Sequence, residues 1–248
     1  MSGHSKWSTI KRKKGVKDAR RSKVWARIAR DIMTAARDGG GDPGMNPRLS
    51  LAIEKAKSEN MPKDNIERAI KKGTGEIEGA DYVEMTYEGY AASGIAVYVD
   101  ALTDNTNRTV ADIRSIFSKA GGSLGQNGSV AFLFTRKGVF EVPVEGVAES
   151  DLFELVADAG AEDLTQEGDH FVVTCEVEDF GSVQNALETA SINVEEAMLQ
   201  RIPLSTTLLE VEAAGKVTKL IEKLEDHQDV QTVSTNLEFD EALLEALS

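Results

Sequence analysis

The chain has one cysteine, Cys175, so no intramolecular disulfide framework holds it, and a reducing compartment is expected. Histidine is nearly as scarce. His4, His170 and His227 lie in different segments, which leaves no ligand set for a metal, and none is expected. No apolar run approaches the roughly 18–20 residues that a membrane span needs. No apolar core follows the basic N-terminus, which argues against a secretory signal. A mitochondrial transit peptide is also basic, but here the basic residues run straight into the first helical pattern, so the expected location is cytoplasmic. Acidic residues are scarce in one place: the first 30 positions hold 11 Lys/Arg and a single acid, Asp18.

That local shortage matters because the whole protein is acidic, with a net charge of −14. Residues 1–80 carry 19 Lys/Arg against 10 Asp/Glu, and the rest carry 9 against 32. An acidic protein has no general reason to bind a polyanion, so a segregated basic arm points to a localised electrostatic footprint. The expected partner is nucleic acid: DNA, rRNA or the ribosome.

The arm begins with Lys6, Trp7, Lys11, Arg12, Lys13, Lys14 and Lys17, in a stretch with no apolar face to bury. Trp7 either stacks on a base or pins the arm to its domain. From Asp18 to about Asp38, Val24, Ile28, Ile32 and Ala35 follow helical spacing. At about 100° per residue, Arg20, Lys23, Arg27, Arg30 and Arg37 fall on the opposite side as one cationic stripe, with Arg21 beside it. Asn46 and Pro47 start a second helix, with Arg48 and Lys55 left outside. A third helix after Pro62 ends at Gly73, and its last-turn Lys71 and Lys72 either complement the helix dipole or extend the phosphate-binding surface.

Beyond residue 81 the periodicity alternates. Strands are expected at Glu84–Tyr90, Ile95–Leu102 and Ser129–Phe134, with a helix at Asn107–Ala120. A β-α-β-β-α-β run then follows, from Lys137–Val142 to Asn193–Arg201, in the ferredoxin-like order. A closing helix at Ala213–Leu224 and strand at Val230–Leu237 complete the interrupted unit. The reading is α+β: a three-helix N-terminal domain (1–80), an α+β domain (81–135 plus 204–248) and a ferredoxin-like domain inserted in it (136–203).

Candidate chemistry is thin. Cys175 sits mid-strand among apolar neighbours and reads as core. Asp100, Asp104, Asn105 and Asn107 do not match a calcium-loop spacing and read as turn and N-cap groups. The glycine-rich Gly121–Gly128 segment lacks P-loop and dinucleotide-binding patterns and reads as a tight hairpin or loop turning at Asn127-Gly128. The exposed backbone at Gly121, Gly122, Asn127 and Gly128 makes it a secondary contact candidate. No enzyme, cofactor, small-molecule substrate or membrane partner is expected, and the sequence does not specify an oligomeric state.

Several long motifs occur in order: G-H-S-K-W-S-T-I-K-R-K-K (Gly3–Lys14), G-G-G-D-P-G-M-N-P-R-L (Gly39–Leu49), N-M-P-K-D-N-I-E-R-A-I-K-K-G (Asn60–Gly73), Y-E-G-Y (Tyr87–Tyr90), A-L-T-D-N-T-N-R-T-V-A-D-I-R (Ala101–Arg114) and the Gly121–Phe134 stretch. In these the chain resembles the YebC family, known as probable transcriptional regulatory proteins and including a mitochondrial translational activator of cytochrome c oxidase. The resemblance implies a helical N-terminal domain, two α+β domains and a role in gene expression. DNA-binding transcriptional regulation is the family's usual description, and assistance to translation on the ribosome would suit the same basic surface. With few Asn or Gln on the stripe to read bases, the cations favour phosphates over sequence. A protein-interaction adaptor is the reading from another class.

Overall fold

The structure, a computed structural model, describes residues 17–240, 243 and 246, with side chains from Arg21 onward. Three helices open it: α1 (Lys17–Gly39), α2 (Pro47–Ser58) and α3 (Lys63–Gly73). Ile28, Ile32, Ala35 and Ala36 of α1 are buried against Leu49, Ala56, Ile66 and Ala69, as the apolar spacing requires. Asn46 joins two helices through one buried side chain. Its oxygen accepts from the Leu49 N–H at 3.1 Å, while its amide donates to the Ala35 and Gly40 carbonyls at 2.8 Å each. Pro47 follows at the first helical position, where its missing N–H costs nothing. At the end of α3, a Cβ on Gly73 would lie 2.3 Å from the Met33 carbonyl oxygen. Glycine therefore lets the two helix backbones meet there.

The chain continues through β1 (Val83–Tyr90), β2 (Ala96–Thr103), α4 (Thr106–Lys119) and β3 (Ser123–Leu124). It then runs through β4 (Phe134–Pro143), α5 (Glu149–Asp158), β5 (Ala161–Glu167), β6 (His170–Cys175), α6 (Phe180–Thr189) and β7 (Glu196–Pro203), and returns through α7 (Val211–Asp226) and β8 (Val230–Thr235). Thr135–Ile202 is one compact unit, and the segments before and after it form the other.

The larger unit contains a sheet of order β3-β1-β2-β8. The long register from Val83↔Thr103 to Tyr90↔Ala96 joins β1 to β2. Ile113 and Phe117 of α4 and Val217, Leu220 and Ile221 of α7 pack on one side with Val97 and Val99. On the other side lie Ala96, Tyr98, Val130 and Phe134. The smaller unit has the order β5-β6-β4-β7, the ferredoxin-like arrangement. Phe140 and Phe180 stack in its core at 4.6 Å. Cys175 is fully buried there, and burial, reinforced by Asp179 and Glu162, pushes its thiol up to about 11. At neutral pH it is an un-ionised core residue rather than a nucleophile.

One element differs from the sequence reading. Residues 129–133 form no strand; the chain does turn at Asn127-Gly128, closed by the Ser129 N–H donating to the Gln126 carbonyl at 3.1 Å, but as a loop and not a hairpin. Instead β3 pairs with β1 through Gly89↔Leu124 and Tyr90↔Ser123, and a 3₁₀ turn occupies Ala131–Leu133. The cause is Glu88, 3% exposed. Its carboxylate accepts from the N–H groups of Gly128, Val130 and Ala131 at 2.7, 2.7 and 2.8 Å. Those donors are thereby removed from any ladder.

Candidate nucleic-acid interface

Helix α1 carries the cationic stripe, and the structure divides it. Lys6, Trp7, Lys11, Arg12, Lys13 and Lys14 lie outside the described residues. Lys17 and Arg20 are in the first turns of α1, and Arg21 is exposed. Further along, the stripe meets protein. Arg27 donates to the carbonyls of Glu225 and, at 3.5 Å, His227, while Arg30 donates to the Gln228 carbonyl. These acceptors lie at and just past the C-terminal end of α7, where helical carbonyls lack partners and the dipole is negative. Arg30 also stacks its guanidinium over Tyr82, 5.4 Å from the ring centre. Arg37 donates to the Tyr82 carbonyl at 2.6 Å and to Asp38 at 3.0 Å. Lys23 lies 3.5 Å from Asp226. The stripe is therefore not an open row. Three of its arginines hold α1 against α7 and the start of β1.

Burial lowers the proton affinity of the Arg27 guanidinium, an effect that Glu225 and Asp226 oppose. Asp31, between Lys55, Arg48, Arg30 and Glu84, is pushed up to about 6, chiefly by burial. Arg48 bridges Asp38 at 3.4 Å and Glu84, so it too is engaged within the fold. Lys55 is half-buried.

The cations that face solvent are elsewhere. Ile66, Ala69 and Ile70 of α3 turn inward, which places Arg68, Lys71 and Lys72 on its outer side, all exposed. None of the three has an ion-pair partner among the described residues. Arg68 was missed in the sequence reading, although it sits three and four residues before Lys71 and Lys72 and so shares their face. Lys57 at the end of α2 is likewise exposed.

The glycine loop belongs to the sheet of the larger unit. The Gly122 N–H donates to the Phe117 carbonyl at 2.9 Å, and a Cβ there would lie 2.6 Å from the Tyr90 carbonyl. This glycine serves packing. Gly121 (φ +75°) and Gly128 (φ +87°) adopt left-handed conformations with open space around them, and Asn127 is exposed.

Around Asp229, 1% exposed, a buried polar cluster forms. Its Oδ2 accepts from Arg108 and Thr109 at 2.8 Å each. Burial opposes ionisation, but these hydrogen bonds and the charges of Arg108 and His227 hold the carboxyl below its usual range. Asn105 caps α4 by accepting from the Arg108 N–H at 3.0 Å. No group of three His, Cys, Asp or Glu among the described residues could hold a metal. No described helix is long and apolar enough to cross a membrane.

Comparison with known proteins places this geometry. Residues 5–76 match the model of the TACO1/YebC protein N-terminal domain, and residues 82–237 match that of the TACO1/YebC second and third domain. A probable transcriptional regulatory protein of Rubrobacter xylanophilus is 53% identical over 245 residues, covering 98% of each chain. One from Chlorobaculum parvum is 51% identical over 248 residues, covering 100% of this chain and 99% of its own. The crystal structure of a conserved hypothetical protein from Aquifex aeolicus superposes with a TM-score of 0.84 at 45% identity, over 90% of this chain and 93% of that one.

Proposed function

The chain belongs to the TACO1/YebC family, and from that premise we propose that it regulates gene expression without catalysis, in the cytoplasm, by gripping nucleic-acid phosphates with its helical domain. The observation that carries this reading is the charge segregation, a basic first 80 residues on an acidic body. The exposed Arg68, Lys71 and Lys72 support it, as cations whose charge no protein carboxylate offsets among the described residues. The names of the relatives agree with a regulator. DNA is the target in this reading, contacted by the N-terminal arm together with the outer side of α3.

A second target, rRNA on the ribosome, is favoured by one feature. The exposed cations of α3 are Arg and Lys, suited to phosphates, and its one amide side chain, Asn65, is half-buried. Phosphate contacts of that kind follow backbone shape and suit folded RNA as well as an operator.

The test is fluorescence anisotropy of the full chain with labelled duplex DNA and with an rRNA fragment across a salt series. Neutralising Lys11, Arg12, Lys13 and Lys14 together should weaken binding to all sequences and flatten the log–log slope by about 0.9 per lost duplex contact. An unchanged slope removes the arm from the interface. Sedimentation of lysate with and without RNase separates the targets: co-migration with ribosomal particles that RNase abolishes favours rRNA, and recovery with chromosomal DNA favours transcription.

A further inference from the structure

In the smaller unit one histidine stands between two carboxylates from separate parts of the chain. His170 opens β6, and 14% of its side chain is exposed. Its Nδ1 lies 2.8 Å from Asp169 Oδ1, in the turn between β5 and β6, and its Nε2 meets Glu195 Oε2, just before β7. Strand β4 runs between β6 and β7, with Pro143 opposite His170. The contact therefore reaches across a strand, close to the bond from the Glu195 N–H to the Glu141 carbonyl at 2.8 Å. A carboxylate only accepts hydrogen bonds. Serving both partners needs a donor at each ring nitrogen, which only the imidazolium has.

We propose that His170 is a pH-sensitive clamp: protonated, it ties the β5–β6 turn to the entry of β7, and on losing its proton it lets go of Glu195 and loosens residues 190–195. The neutral ring has one N–H, so its other nitrogen would turn a lone pair toward a carboxylate. Asp169 is the ring's neighbour in the chain, whereas Glu195 is 25 residues away. Keeping the local contact costs less chain entropy, so Glu195 is the partner that leaves. Strand β7 lies at the sheet edge, with a ladder partner on one side, which makes its entry a segment that opens at low cost. A Cβ on Gly138 would touch both Cys175 and Phe180, so that side of β6 faces α6 and His170 faces away from it. The titratable groups around the ring are acids: Glu167 opposite it on β5, Glu141 two residues before Pro143 on β4, Glu145 in the turn after β4, and Glu196 at the start of β7. Burial opposes the ring's charge, but the hydrogen bonds and charges of Glu195 and Asp169 outweigh it and raise the proton affinity above the ordinary histidine range. With the folded value raised, the clamp is closed below about 6.5, the value in the unfolded chain, and opens as pH climbs through the folded value. The window lies on the alkaline side of about 6.5.

The experiment is an NMR titration of the full chain from about pH 5.5 to 9, following the His170 ring signals and the backbone amides of residues 190–196. The expected result is a ring midpoint above about 6.5, with those amides shifting at the same midpoint and their exchange protection falling roughly threefold or more through it. Glu195→Ala removes the distant acceptor. It should lower the ring midpoint by about half a pH unit or more and abolish the transition at 190–196, while the core signals of Phe140 and Val173 stay in place. Asp169→Asn, a change in an exposed turn, provides a second variant: the midpoint should fall, yet the 190–196 transition should persist in step with it. A ring midpoint at or below about 6.5 overturns the proposal. So do amides at 190–196 that do not follow the ring, a Glu195→Ala midpoint equal to wild type, or loss of the transition in Asp169→Asn.

Discussion

Glu88→Gln is a nearly isosteric change that opens no cavity, so its cost isolates the hydrogen bonds of one carboxylate. One oxygen accepts from the Gly128 N–H at 2.7 Å; the other accepts from Val130 and Ala131 at 2.7 and 2.8 Å. A glutamine has a single oxygen. Placed to retain Val130 and Ala131, it turns its NH₂ toward the Gly128 N–H, donor against donor. The lost charged hydrogen bond is worth about 1.5–3 kcal/mol, and the two that remain weaken as their acceptor becomes neutral, for a total of about 2–4 kcal/mol. At 1.4 kcal/mol per decade, this corresponds to amide exchange about 30- to 700-fold faster at residues 128–131. Native-state hydrogen exchange by NMR reads these amides one by one, with α3 as internal control. Exchange within threefold of wild type would show that the carboxylate does not hold the loop, and the account of why residues 129–134 leave the sheet would fail with it.

Arg27→Gln removes donors to the Glu225 and His227 carbonyls and should lower stability by about 1–3 kcal/mol; stopped-flow with labelled DNA should show slower association at low salt and unchanged dissociation, and a tenfold faster dissociation would make Arg27 a phosphate contact instead. Asp31 is pushed up to about 6, so the folded state holds a proton that the unfolded chain releases above about 4. Relative to Asp31→Asn, the wild type should therefore gain stability as pH falls from 7 to 4, by at most about 3 kcal/mol; parallel denaturation curves for the two proteins across that range would contradict this. Gly73→Ala places a methyl 2.3 Å from the Met33 carbonyl and 2.8 Å from the Ala36 Cβ, and should cost about 1–3 kcal/mol by thermal melting; an unshifted midpoint would mean that α1 and α3 part without penalty.

Local signals carried most of the fold. The i, i+4 apolar spacing of Val24, Ile28 and Ile32 marks the buried side of α1, and Asn46-Pro47 marks the start of α2, because both are properties of neighbouring residues. The β-α-β-β-α-β order was legible for the same reason. What the periodicity left out was the surface opposite the stripe. Arg27 and Arg30 meet residues almost 200 positions away, and they meet backbone carbonyls, which every residue type presents alike. The strand expected at Ser129–Phe134 failed because the group that organises that stretch, Glu88, lies some 40 residues upstream and is acidic, a side chain expected at the surface. Arg68 was within reach of helical geometry, three residues before Lys71, and only the emphasis on runs of adjacent cations obscured it.

The partners of the α1 arginines bear on how the helical domain would attract phosphate in the proposed function. A carbonyl acceptor takes up hydrogen-bond donors without cancelling a formal charge, so Arg27 and Arg30 lose their freedom to chelate phosphate but keep contributing to the local field. Arg37, paired with Asp38, Arg48, between Asp38 and Glu84, and Lys23, beside Asp226, are partly neutralised by contrast. With a screening length of about 8 Å at physiological salt, charge on α1 still reaches an approaching backbone. The fixed arginines therefore steer, while Arg68, Lys71 and Lys72 have donors left for contact. Under the proposed function, that separation lets one cluster of cations hold two parts of the fold together and still serve a polyanion.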